Sequence, residues 1–244
     1  IGARRLSARS RMLNHRVTKV FGCTPGLLGQ VQLINSISPE GFQAVDKLIP
    51  NQPDLPNYVG IEVEIERVLS TAGQIVWRSE GDASLRNNGV ELVSYPVIDR
   101  AYYGALGELH RFFTANPKAE FSNRCSIHVH INVSDCSYEQ LLVMIGFYLS
   151  VEKALFLNLF PNRLGNNYCV PLTNALLTQE HLKDLSRDKF KYFALNLYHL
   201  NDYGTLEFRH HPGTKDIREL HHWVQILFGI YNFGISTSLK DFKE

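Results

Sequence analysis

Gly60-Ile61-Glu62-Val63-Glu64-Ile65-Glu66 is the stretch from which the rest of this 244-residue chain is read. Side chains two apart in a strand point to the same face, so Glu62 and Glu64 share a face while Ile61, Val63 and Ile65 cover the other. Three further segments repeat the pattern: Val90-Glu91-Leu92-Val93-Ser94, Ser126-Ile127-His128-Val129-His130-Ile131-Asn132 and Thr205-Leu206-Glu207-Phe208-Arg209-His210. His128 pairs with His130 in this way, and Glu207 with Arg209. One sheet face is therefore expected to be rich in carboxylate and imidazole, which suits divalent metal ions and phosphates.

A solvated face of an antiparallel sheet also alternates polar with apolar, and a single segment does not separate the two readings. Four segments do better. Wet strand faces use Thr, Ser, Lys and Gln freely, whereas these carry Glu, His and one Arg, the types that bind metal and phosphate. His-x-His is the least expected on a bland surface, since neutral imidazole is a common metal ligand.

Composition bounds the class. At 27.8 kDa, with 44% hydrophobic residues, the chain is long enough to bury a sizeable core. No stretch approaches the ~20 uninterrupted apolar residues of a membrane span. The nearest, Leu141 to Phe160, is broken by Glu152, Lys153 and Asn158. A soluble, cytoplasmic protein that does not engage a membrane is the expectation. Cys23, Cys125, Cys136 and Cys169 show no Cys-x-x-Cys spacing and are too sparse for a disulfide scaffold, so reduced thiols are expected and a zinc–thiolate site is not.

The net charge of +1 hides an asymmetry. Arg4, Arg5, Arg9, Arg11, Arg16 and Lys19 lie in the first 39 residues, which hold no Asp or Glu, leaving 19 basic against 24 acidic residues beyond. Residues 1–57 are read as a basic N-terminal arm and linker, ending in the Pro- and Asn-rich Pro50-Asn51-Gln52-Pro53-Asp54-Leu55-Pro56-Asn57, and residues 58–244 as the main domain. A transit peptide, an arm that contacts nucleic acid or a neighbouring subunit, and a plain solvated extension all fit that composition. The chain opens on Ile1 rather than Met and is expected to begin inside a longer product or after processing.

Periodicity predicts strands at 58–67, 75–78, 90–94 and 126–133 and helices at 100–114, 137–158 and 216–236. Ser137 is the expected cap of the second helix, with Glu139 and Gln140 in its first turn. Segments 192–199 and 205–210 read as a hairpin about Asn201-Asp202-Tyr203-Gly204. Together these elements predict an α+β fold, an antiparallel sheet with long helices packed on one face.

In order along the chain, Gly60-x-Glu62-x-Glu64, Asp82-x-Ser84-Leu85, Gly89-Val90-Glu91-Leu92-Val93-Ser94-x-Pro96, Ser126-x-His128-Val129-His130, Asn162-Arg163 with Tyr168-Cys169, Leu195-Asn196-Leu197 and Thr205-Leu206-Glu207-Phe208-Arg209 resemble the amidoligase family. That family is grouped with the glutamine synthetase and glutamate-cysteine ligase superfamily, and the resemblance spans roughly Tyr58 to Tyr231. It implies a curved, glutamine synthetase-like sheet and an ATP-dependent carboxylate-amine ligase that works through an acyl phosphate. Mg²⁺ or Mn²⁺ would be the metal, and a carboxylate and an amine, free or within a peptide or protein, the substrates.

By the same resemblance, Glu62, His130 and Glu207 hold one ion at the nucleotide phosphates, while Glu64, Glu91 and Asp82 hold another nearer the carboxylate substrate. Arg209 neutralises the transferring phosphate, which makes Glu62, Glu64 and Arg209 the catalytic set. His128, Arg163 and Asn196 join Arg209 in binding cofactor or substrate; the alternatives are a metal-ligating role or support of the neighbouring ligands for His128, a helix-end salt bridge for Arg163 and a turn-closing role for Asn196. His210, His211, His221 and His222 are not expected to form a metal cluster, since His210 and His211 point oppositely in extended chain. Two other readings stay open: a phosphotransferase or hydrolase on the same face, and a non-catalytic structural or capsid-associated module of a phage or bacterium, found in the virion in the first case, whose basic arm contacts nucleic acid or a neighbouring subunit.

Overall fold

A computed structural model describes residues 27–71, 75–174 and 192–244. The basic residues Arg4 to Lys19, and the segment 175–191, lie outside them. The fold is α+β, with several helices and a six-stranded antiparallel sheet. The chain divides into two compact units: one of Thr24–Val129 with His211–Gln225, the other holding His130–His210 and Ile226–Glu244.

In the first unit, helices α1 (Leu27–Ser36) and α2 (Pro39–Leu48) precede strands β1 (Val59–Ile65), β2 (Trp77–Glu80) and β3 (Val90–Ser94), helix α3 (Asp99–Ala115) and the start of β4 (Ser126–Asn132). The strands neighbour one another in the order β2-β3-β1-β4. Ile61, Val63, Ile65, Leu92, Ile127 and Val129, the apolar halves of the alternation, are all buried. Glu108 of α3 accepts the backbone N–H groups of Ile75 and Val76 at 3.1 and 2.9 Å, which fastens the entry to β2.

Residues 27–57, expected as arm and linker, carry two helices, and α2 packs on α3. Ser38 caps α2 by accepting from Gly41 N, and Pro39 follows at the first turn where its missing N–H costs nothing. The two helix backbones approach at Gly41 and Gly107, where an added Cβ on Gly107 would lie 2.2 Å from the Gly41 carbonyl oxygen. The stretch 50–57 is fastened too: Leu55 is buried, its N–H donates to Asp99 at 2.9 Å, and the Tyr103 hydroxyl donates to the Pro53 carbonyl at 2.8 Å.

The second unit holds the end of β4 from His130, helix α4 (Tyr138–Asn158), single 3-10 turns at Pro161–Arg163 and Leu172–Asn174, and β5 (Leu195–Asn196). The short helix α5 (His199–Asp202), β6 (Thr205–Pro212, to His210) and α7 (Leu239–Lys243) complete it; α6 (Ile217–Ser236) runs from one unit into the other. Ser137 caps α4 and Gln140 closes a reciprocal capping box. By length and composition α4 is apolar enough to cross a membrane. Within it Val143, Met144, Tyr148, Glu152, Leu155 and Phe156 are buried. β5 and β6 pair antiparallel as expected, but a helical turn joins them in place of a tight hairpin loop. Gly204 ends that turn at φ +66°, a conformation that suits glycine.

Candidate functional site

The register of the first unit lines three carboxylates across three strands. Glu91 of β3 lies opposite Glu64 of β1 on one side and opposite Glu80 of β2 on the other. Like charges directly opposite in an antiparallel pair repel. Burial first, and then the charges of Glu62, Glu64, Asp82 and Glu80, push the Glu91 carboxyl up to about 8. A cation between the strands would relieve this directly. Among the described residues of this unit, Glu64, Glu91 and His128 each turn one ligand atom inward, and the three atoms lie within 4.8 Å of one another.

Hydrogen bonds set the aim of these side chains. Glu64 is 6% exposed, and its Oε2 accepts both the backbone N–H and the hydroxyl of Ser126, at 2.8 and 2.7 Å. The same hydroxyl lies 2.8 Å from His128 Nε2, while His128 Nδ1 lies 2.9 Å from Glu62 Oε2. This is not a wet strand face: His128 and Ser126 are each 2% exposed, and within β1 only Glu62 is half-buried. Glu66, the next residue in the β1 alternation, is spent on structure, accepting the Arg86 N–H at 2.9 Å and so holding the loop that carries Asp82. Asp82 stands outside the three-residue group, and its carboxylate accepts the N–H and hydroxyl of Ser84 at 2.7 and 2.9 Å.

In the second unit the site residues gather about Glu207, which is fully buried. Its Oε1 accepts from Arg209 Nη1 at 2.5 Å, and its Oε2 accepts from the Asn196 amide and lies 3.1 Å from His199 Nε2. His199 stacks on Tyr203 with ring centroids 4.6 Å apart, and its ring lies 5.3 Å from that of His130. His130 Nδ1 is 3.1 Å from the Thr205 hydroxyl. Arg209 also donates from Nε to the Tyr168 carbonyl at 3.2 Å, which orients its plane. Arg163 is buried and donates from Nη2 to the Arg209 carbonyl at 3.2 Å, so it braces β6. Asn196 both holds Glu207 and accepts the Tyr198 N–H at 2.9 Å, filling the turn-closing and site roles together.

The histidine-dense stretch makes no metal group among the described residues. His210 is buried against Tyr148 and Phe156, and His211 against Trp223. Burial holds the Cys169 thiol up at about 11 despite Arg163 and Arg209 nearby, so it is no ready nucleophile.

Three participants escaped the reading of the sequence. Ser126 extends the His128-x-His130 alternation one step back, and period two alone would have included it. Glu80 follows only from the β2–β3 register, which no local pattern discloses. His199 sits on a turn with no periodicity to mark it.

A comparison with protein-family models finds one that matches residues 74–230, described as "putative amidoligase enzyme". No curated protein and no solved structure matches the chain.

Proposed function

The chain belongs to that amidoligase family, and from this premise we propose that it is an ATP- and Mg²⁺-dependent carboxylate-amine ligase on a glutamine synthetase-like sheet. The observation that carries the reading is the Glu64, Glu91 and His128 group, in which burial first, and then the neighbouring carboxylates, hold Glu91 up at about 8. A hard divalent ion prefers carboxylate oxygens, phosphate and water, and such an ion suits this donor set. Glu64, Glu91 and His128 would hold it, with Glu62 fixing the His128 ring and Asp82 adding charge nearby. When bound, the metal neutralises phosphate charge and polarises the transferred group.

Phosphoryl transfer asks little covalent chemistry of a protein and much positioning and charge neutralisation. Arg209, oriented by Glu207 and Tyr168, meets the transferring phosphoryl group as charge develops on its oxygens. The substrate carboxylate attacks the terminal phosphorus of ATP and ADP leaves, giving an acyl phosphate; an amine then adds to the acyl carbon, and phosphate departs with the amine's proton to leave the amide.

The test is ADP release from Mg²⁺-ATP with pooled carboxylates and amines. Release that requires both substrates supports the ligase, and release with one acceptor alone sinks it in favour of a kinase. Calorimetry of Mg²⁺-nucleotide with wild type and Glu62→Gln/Glu64→Gln tests the cradle separately, and equal affinities would remove it.

A further inference from the structure

Glu152 is an acidic residue in the middle of the apolar helix α4, and it is fully buried. A carboxylate in that position is costly unless its oxygens are satisfied. Three donors satisfy it: the Tyr148 hydroxyl at 2.6 Å, one turn earlier on the same helix, and the backbone N–H groups of Leu172 and Thr173 at 2.5 and 2.8 Å. Tyr148 has one hydroxyl proton, and it goes to Glu152. Its oxygen, 2.9 Å from His210 Nε2, is then left to accept, so His210 carries its proton on Nε2. Burial and the neighbouring Glu152 hold the Tyr148 phenol well above its ordinary range, so that proton stays in place.

Both arms of this network end at Arg209. One arm runs through Tyr148 to His210, the residue that follows Arg209 on β6 and faces the opposite side of the strand. The other grips the 3-10 turn Leu172–Asn174, which ends the segment that holds Arg163 and Tyr168. Arg163 donates to the Arg209 carbonyl, and the Tyr168 carbonyl accepts from Arg209 Nε. Main chain and guanidinium are thus referred to one buried carboxylate.

We infer that Glu152 is a positioning residue for Arg209, acting through Tyr148–His210 on one side and the 161–174 segment on the other. The inference gives Arg209 its orientation, and it rests on the proposed function only in taking phosphate as what the oriented guanidinium meets.

Nitrogen-15 NMR of the full chain tests it. The Arg209 Nε–H signal is assigned by its loss in Arg209→Lys and the His210 Nε2–H signal by its loss in His210→Asn. In wild type both are observed, with Arg209 Nε–H exchanging slowly. Glu152→Gln puts an amide NH₂ against backbone N–H donors, and Tyr148→Phe cuts the arm to His210. Each should speed Arg209 Nε–H exchange about tenfold, the effect of one lost hydrogen bond. Unchanged Arg209 exchange in the variants overturns the inference. If Glu152→Gln does not fold, Tyr148→Phe decides alone. Failure of wild type to bind Mg²⁺-ATP would sink the ligase reading, while Arg209 exchange would still judge this one.

Discussion

A single oxygen of Glu64, Oε2, takes both the backbone N–H and the hydroxyl of Ser126, at 2.8 and 2.7 Å. The other, Oε1, is thereby turned toward His128, whose Nε2 lies 3.8 Å away. Ser126 thus aims a carboxylate that it does not itself resemble. Ser126→Ala removes the hydroxyl and leaves the N–H, so the carboxylate keeps one anchor and gains torsional freedom. The expected loss is about 1 kcal/mol, or roughly fivefold in Mn²⁺ affinity by calorimetry. Ser126→Thr, which keeps the hydroxyl, should restore most of it.

Glu91 gives the chain a pH dependence whose sign follows from its raised pKa. Below its ordinary value of 4.5 the folded and unfolded chains both hold the proton, and between 4.5 and about 8 only the folded chain does. Metal-free protein therefore loses stability as pH rises through that window and levels off above it, by at most about 1.4 kcal/mol per pH unit for this one group. Melting temperatures at several pH values across the window should show the decline. Glu91→Gln should flatten it, and an undiminished slope in that variant would assign it elsewhere.

His221 acts in the opposite sense. It is buried, 3.2 Å from the Tyr102 hydroxyl through Nδ1, and burial followed by the charge of His222 lowers its pKa to about 4. The unfolded chain binds a proton from about pH 6.5 downward while the folded chain resists until about 4, so stability falls as pH drops through that interval. His221→Gln, which cannot take the charge, should melt at a temperature less sensitive to acid than wild type.

The first unit's strands were legible because Ile61, Val63 and Ile65 alternate with Glu62 and Glu64, and period two survives folding unchanged. Strand ends were less so: β1 stops at Ile65 because Glu66 and Glu120 exchange backbone hydrogen bonds outside it, a partnership 54 residues away in sequence. Residues 27–48 read as an arm because their charge was counted and their helix signals were not; Ser38-Pro39-Glu40 is a cap, a first-turn proline and a first-turn acid in sequence. Site chemistry divided the same way. Residue types named the carboxylates and Arg209, but Glu80 and His199 came only from register and a turn. Glu152 was visible as an acid inside an apolar run, and its sequence showed that it interrupts the run, not what it holds.

The α2–α3 contact gives a prediction of unequal costs at two glycines of one helix. Alanine in a helix interior is favoured over glycine by about 1 kcal/mol. At Gly107 the new Cβ would stand 2.2 Å from the Gly41 carbonyl oxygen and 2.7 Å from its carbon, backbone atoms that move only if α2 moves. At Gly104 it meets the Ile37 Cδ1 at 2.3 Å, the end of a flexible side chain, and the Phe42 ring edge at 3.1 Å. Gly107→Ala should cost about 2 kcal/mol net in urea unfolding, and Gly104→Ala about 1 or less. Equal costs would mean that the helix backbones are not in contact there.

Arg209→Lys separates charge from geometry. Lysine keeps the positive charge, but its single ammonium cannot reproduce a planar fork held at Nη1 by Glu207 and at Nε by the Tyr168 carbonyl. If Arg209 only balanced the buried Glu207, lysine would serve nearly as well and ADP release would change little. Because an arginine that meets a transferring phosphoryl group is worth about 10³–10⁵ in rate, and lysine retains only part of that as a point charge, release should fall by at least about 100-fold. Mn²⁺ affinity, which the proposed site of Glu64, Glu91 and His128 would set, should be unaltered. A small loss in rate, or a loss of metal binding equal to the loss in rate, would count against the phosphate role and leave Arg209 as a structural partner of Glu207.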